Sequence, residues 1–221
     1  MEIPENLIAA EINAVNLTAS MKFLFLSLAR RQAYTALHSL RVTRHSLRFA
    51  DHLRIPLEER EALRIGGYLH DIGKIAIDDA ALLKPGSLSR EERALIESHP
   101  LIGQRLVKDL GLGPQGEDLI LHHHERWDGR GYPDGLARDE IPLLCQILAL
   151  ADCYDALTTD RCYRRACTSA EALAEIRASS GTQFRSELAQ EFIEMISSAS
   201  QLVNPRYWRD LAEGGKGCPA T

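Results

Sequence analysis

Two adjacent imidazoles, His123 and His124, head the run His123-His124-Glu125-Arg126-Trp127-Asp128-Gly129-Arg130-Gly131-Tyr132-Pro133. Upstream, His70-Asp71 leads into Ile72-Gly73-Lys74, and His99 stands beside Pro100. Asp152 interrupts the apolar stretch Ile147-Leu148-Ala149-Leu150-Ala151. A carboxylate buried there without a partner would cost on the order of several kcal/mol. Metal coordination offsets that cost; a salt bridge to Arg161 or Arg165 is the alternative. A mixed set of imidazoles and carboxylates suits borderline divalent metals such as iron, manganese or zinc. The set exceeds four candidate ligands, which points to more than one ion, with a substrate loop beside them. Phosphoester hydrolysis is the chemistry this combination serves.

These residues need helices to gather them. No regular two-residue alternation occurs, so the chain reads as all-α. Helices are expected over Gln32–Leu53, which ends before Pro56, and over Leu57–His70. Ser89 with Glu92 forms a capping box that opens a helix toward His99, and Pro100 places a break or kink there. Leu101–Leu110 and a segment carrying His122 to Glu125 follow. Pro142 opens an apolar helix, Leu143–Leu157, whose composition marks it as central and buried. Thr168 with Glu171 caps a helix that runs to Gly181, and the last helix covers Glu187–Ser197. Ile75-Ala76-Ile77 is the short run that could be extended. The organisation expected is a helical N-terminal extension over 1–30, a main domain over 31–200 and a C-terminal tail over 201–221, disordered from Gly214 to Thr221.

Composition narrows the class. The hydrophobic fraction of 45% and charged fraction of 26% are those of a soluble globular domain. A net charge of −5 with no long basic run argues against duplex nucleic acid as a partner. No apolar run reaches membrane-span length, and Met1–Ala10 lacks a basic start, so a cytoplasmic protein is expected. The five cysteines, Cys145, Cys153, Cys162, Cys167 and Cys218, contain no CxxC pair and read as reduced thiols. Phe23–Leu28 offers an apolar face for a homodimer contact or for packing on the same domain.

The ordered motifs resemble the HD superfamily of metal-dependent phosphohydrolases and, more narrowly, its HD-GYP branch. The matching segments are His38-Ser-Leu-Arg-Val42, Leu69-His-Asp-Ile-Gly-Lys-Ile75, Lys84-Pro-Gly86, His99-Pro100 with Ile102-Gly103, His123 through Pro133, Asp152-Cys-Tyr-Asp-Ala-Leu157, Asp160-Arg-Cys-Tyr-Arg164 and Gly181-Thr-Gln-Phe184. The resemblance implies an HD-domain helical bundle. It also implies the metal ligands His38, His70, Asp71, His99, His123, His124 and Asp152, with Asp71 bridging. His45, His52 and His122 match no ligand position. Some members carry a glutamate one turn before the first histidine, where it helps hold a third metal. Tyr34 stands there, so two ions are expected, iron first, then manganese or another transition metal.

The activity implied is hydrolysis of cyclic di-GMP to pGpG, and onward to GMP, by a metal-bridged hydroxide attacking phosphorus. Asp71 and Lys74 are the catalytic residues, with Lys74 on the scissile phosphate. Tyr132, Gly131, Asp155, Arg161 and Arg164 form the substrate side, where Asp155 orients an arginine or contacts a base. GYP loops of the family are also implicated in contacts with GGDEF-domain proteins. The competing readings are a noncatalytic cyclic di-GMP receptor or interaction module, and a phosphohydrolase of another cyclic dinucleotide.

Overall fold

Apolar residues spaced three and four apart along most of this chain dictate amphipathic helices that must pack on one another. The computed structural model describes residues 5–202 apart from 16, 83, 85 and 161–164. The helices are α1 Glu5–Ala14, α2 Ala19–Arg31, α3 Ala33–His52, α4 Leu57–Leu69, α5 Asp79–Leu82, α6 Arg90–Glu97, α7 His99–Val107, α8 Gly113–His122, α9 Leu143–Thr158, α10 Ser169–Ala178 and α11 Ser186–Leu202. Extended pairing among the described residues is limited to isolated bridges, Asp128 with Ala137 and Ser180 with Phe184. The run Ile75-Ala76-Ile77 is not a strand. Ile72–Ala76 is a 3-10 turn that caps onto Ile77. No described helix is long and apolar enough to cross a membrane. The expected tail from 203 onward lies outside the described residues.

Both expected capping boxes form. Ser89 Oγ accepts from the Glu92 amide, and the Glu92 carboxylate accepts from the Ser89 amide. Thr168 and Glu171 repeat the arrangement at the start of α10. The break near Pro100 falls one residue early, at Ser98, so that His99 opens α7. Proline is tolerated in a first helical turn, where its missing amide has no partner to lose.

Two apolar clusters hold the helices. One gathers Val42 and Phe49 of α3, Leu63 of α4, Leu119 of α8, Ile147, Leu148 and Ala151 of α9 and Phe192 of α11. The other gathers Ile8 and Ile12 of α1, Phe25 and Leu28 of α2, Leu40 of α3, Leu69 of α4, Ile72 and Ile120. Helices α3, α4 and α8 belong to both clusters, so they tie the two together. The Phe23–Leu28 face divides: Phe25 and Leu28 are fully buried, whereas Phe23 is 70% exposed.

One close approach sets the position of the histidines. A Cβ on Gly73 would collide with the carbonyl of His99 and come within 2.7 Å of the Gly103 amide. The turn after His70-Asp71 therefore lies directly against the first turn of α7, and only glycine permits that contact. Gly73→Ala is expected to force the two backbones apart and to cost about 1–3 kcal/mol. Denaturant unfolding measures this, and an unchanged midpoint would refute the close approach.

Candidate metal centre

A helix that ends leaves carbonyls in its last turn without amide partners. Three histidines stand just past such ends and use them. His70 Nδ1 donates to Gly67 O at 2.8 Å, His99 Nδ1 to Ile96 O at 2.7 Å and His123 Nδ1 to Ile120 O at 2.9 Å. Each carbonyl lies three residues back, at the end of α4, α6 and α8 respectively. A carbonyl only accepts, so each ring carries its proton on Nδ1 and turns an unprotonated Nε2 inward.

Those nitrogens converge on two groups of potential ligand atoms. Asp71, His99, His123 and His124 make one group, and His38, His70 and Asp152 the other, with the atoms of each group within 4.8 Å of one another. Asp71 lies between them. Its Oδ1 is 3.2 Å from His99 Nε2 and 3.9 Å from His123 Nε2. Its Oδ2 is 3.6 Å from His70 Nε2 and 3.9 Å from His38 Nε2. All seven residues expected as ligands are thus brought together.

The residues fit divalent ions. His99 Nε2 and His123 Nε2 face one another at 3.1 Å. With both protons on Nδ1, that is lone pair against lone pair, an arrangement a cation relieves. His70 Nε2 and Asp71 Oδ1 are buried without a hydrogen-bond partner. Native interiors rarely leave such atoms unsatisfied unless an ion or water serves them. The donor set, imidazole nitrogen and carboxylate oxygen, is that of a transition-metal site.

Electrostatics agree. Burial holds the imidazoles of His70 and His123 below their ordinary value, and burial pushes His124 down to about 3. Neutral imidazoles are the form that coordinates. Burial opposes ionisation of Asp71, but Lys74, His70 and His99 prevail and hold its carboxyl well below the usual range. His38 behaves differently. Burial works against its charge, yet hydrogen bonds to Asp152 and Asp155 raise it to about 9.

The remaining expected site residues take varied places. Lys74 Nζ reaches Asp71 Oδ2 at 2.6 Å. The Tyr132 ring lies 4.8 Å from the His124 ring, and burial with the nearby Asp71 and Asp152 charges keeps its hydroxyl protonated. Gly131 serves packing: a Cβ there would meet Glu125 Cα at 2.5 Å and His124 O at 2.6 Å. Asp155, expected on the substrate side, is buried behind His38, with its oxygens engaged by His38 and Arg41. The orientation of an arginine is therefore the geometry found for it. Arg161 and Arg164 lie outside the described residues. His45 packs against Tyr154, His52 pairs with Glu191, and His122 pairs with Asp134, so none of the three joins the ligand groups.

Glu125 had no assigned role from its sequence position. Its Oε1 accepts from the amides of Asp134 at 2.8 Å and Gly135 at 3.0 Å, which folds the Gly131–Pro133 turn back over His124. The Gly181–Phe184 segment braces the other side, where the amides of Trp127 and Asp128 donate to Gln183 O and Thr182 O. The adjacency of Glu125 to the histidine pair was the available signal. Its partners, nine and ten residues on, depend on the path of the loop.

Asp71 belongs to one group and turns its Oδ2 toward the other, to which His70 belongs. Asp71→Ala is expected to reduce bound metal in both groups, and His70→Ala to reduce it in one. Elemental analysis of the purified variants checks this, and full metal content in both would refute the assignment.

The HD domain family pattern matches residues 9–188 of this chain. The chain is 38% identical over 164 residues to a cyclic di-GMP phosphodiesterase of Pseudomonas aeruginosa, covering 74% of this chain and 39% of that protein. It is 43% identical over 141 residues to the cyclic di-GMP phosphodiesterase response regulator RpfG of Xanthomonas campestris pv. campestris, covering 61% of this chain and 36% of that one. It thus spans under two fifths of either relative. The solved cyclic GMP-AMP specific phosphodiesterase V-cGAP3 of V. cholerae shares the fold, with a TM-score of 0.62 at 20% identity, over 88% of this chain and 51% of that one. With the ligand groups assembled as its motifs require, the chain belongs to the HD domain family, in the HD-GYP branch.

Proposed function

We propose that this chain is a metal-dependent phosphodiesterase that opens cyclic di-GMP to linear pGpG, and onward to GMP. The observation that carries the reading is Asp71, whose two oxygens face two separate ligand groups. Two divalent ions held there would supply Lewis acidity and a water of lowered pKa. Iron is the first candidate and manganese the next, since the donor set serves both.

The chain's own residues supply the rest. Lys74, beside Asp71 and only partly buried, offers an ammonium to a phosphate oxygen as charge develops in the transition state. Tyr132, protonated and lying over His124, offers a hydroxyl donor and a ring face to a guanine. Arg161 and Arg164 are assigned to phosphate oxygens or guanine edges on the chemistry of guanidinium forks. The relatives named for cyclic di-GMP support that substrate. The V. cholerae enzyme named for cyclic GMP-AMP makes a mixed dinucleotide the second substrate to test. Contact with GGDEF-domain proteins through the Gly131–Pro133 turn, and pairing of two copies through exposed Phe23, belong to the same reading.

Metal-reconstituted protein incubated with cyclic di-GMP is expected to yield pGpG on chromatography, under reducing conditions with iron or manganese. Binding without linear product would leave a receptor instead of an enzyme, and faster cleavage of cyclic GMP-AMP would change the substrate. Lys74→Ala should lower kcat by about 10²-fold with metal content unchanged. Unaltered turnover in that variant would remove Lys74 from the chemistry.

A further inference from the structure

Among the four metal-facing imidazoles whose Nδ1 partner is known, three are set by a carbonyl of their own neighbourhood. His38 is set from another helix. Its Nδ1 meets Asp155 Oδ2 at 2.7 Å and its Nε2 meets Asp152 Oδ1 at 2.8 Å. Both carboxylates project from α9, three residues apart and so on one helical face. Asp155 is buried and is itself clamped. Arg41 Nε donates to Oδ1 at 2.6 Å and Arg41 Nη2 to Oδ2 at 3.0 Å, with Thr159 Oγ1 3.4 Å from Oδ1. Arg41 and His38 are likewise three residues apart, on α3. The result is a chain of contacts, Arg41 to Asp155 to His38, that ends on one ligand group.

We propose that Arg41 and Asp155 are positioning residues for the group formed by His38, His70 and Asp152, and that this half of the centre depends on them while the other half does not. The proposal rests on the two-ion reading above and deepens it. A carboxylate behind a ligating imidazole fixes the ring and strengthens it as a donor. The bidentate guanidinium fixes the carboxylate in turn. His99 and His123, in the other group, take their orientation from Ile96 and Ile120 and have no such link to α9. Asp152 shares α9 with Asp155, so one helix delivers both a ligand and the support for its neighbour.

The test is metal titration of the full chain, read by elemental analysis and by the affinity of each equivalent. Wild type is expected to take up two equivalents. Asp155→Asn keeps the side-chain shape, and it should weaken one equivalent by about 10–100-fold and leave the other unchanged. Arg41→Met should do the same, with Arg41→Lys recovering part of the loss because it keeps the charge but not the fork. Circular dichroism confirms that each variant retains its helices. Two equivalents of unchanged affinity in Asp155→Asn would overturn the proposal, as would equal weakening of both. A variant that fails to fold is set aside for the Arg41 pair, which decides by the same criterion. Wild-type protein that takes up fewer than two equivalents would sink the two-ion reading itself, an outcome visible without any variant.

Discussion

The carbonyls left over at helix ends organise this molecule's chemistry. At three places a histidine follows the end of a helix and donates Nδ1–H to the carbonyl three residues back. That single bond satisfies an orphan acceptor, selects a tautomer and aims a lone pair. Because the bond is local, the orientation of each ring is set by its own helix end. What remains for the fold is to bring three helix ends to one point.

It does so with two apolar clusters joined by α3, α4 and α8. Leu63 of α4 lies in one cluster and Leu69 in the other, and Leu119 and Ile120 of α8 divide the same way. His38, His70 and His123 sit on or just past these helices, so polar atoms are buried where apolar packing is anchored on both sides. Asp71 bears a cost in that position. It is buried among histidines with one oxygen unpartnered, and its charge is held by Lys74 and the surrounding imidazoles. Gly73 and Gly103 make the arrangement possible by letting the Asp71 turn lie against α7.

The loop beside His124 is built with similar economy. Glu125 spends one carboxylate oxygen on two amides and thereby folds the Gly131–Pro133 turn over His124. Gly131 is required there because backbone occupies the space a side chain would need, while its φ is not in the left-handed region. Gly131, expected on the substrate side, has a packing role in the structure. Asp155 shows the same pattern: it orients an arginine, as one reading had it, but that arginine is Arg41 and the pair stands behind a ligand.

Much was legible in the sequence because it was local. Apolar spacing marked the helices, Ser89 with Glu92 and Thr168 with Glu171 marked two starts, and the order of the His and Asp motifs marked the residues that gather into two metal-capable groups. The missing information was long-range. Nothing near Asp155 in sequence says that its partners lie 117 and 114 residues away. Nothing near Gly73 says that α7 will pass against it. Residue types and short spacings determined which atoms could coordinate metal. Only the packing of α3 against α9, and of the Asp71 turn against α7, decided which of those atoms come together and which residues stand behind them, because those distances are set by helices that meet far apart in the chain.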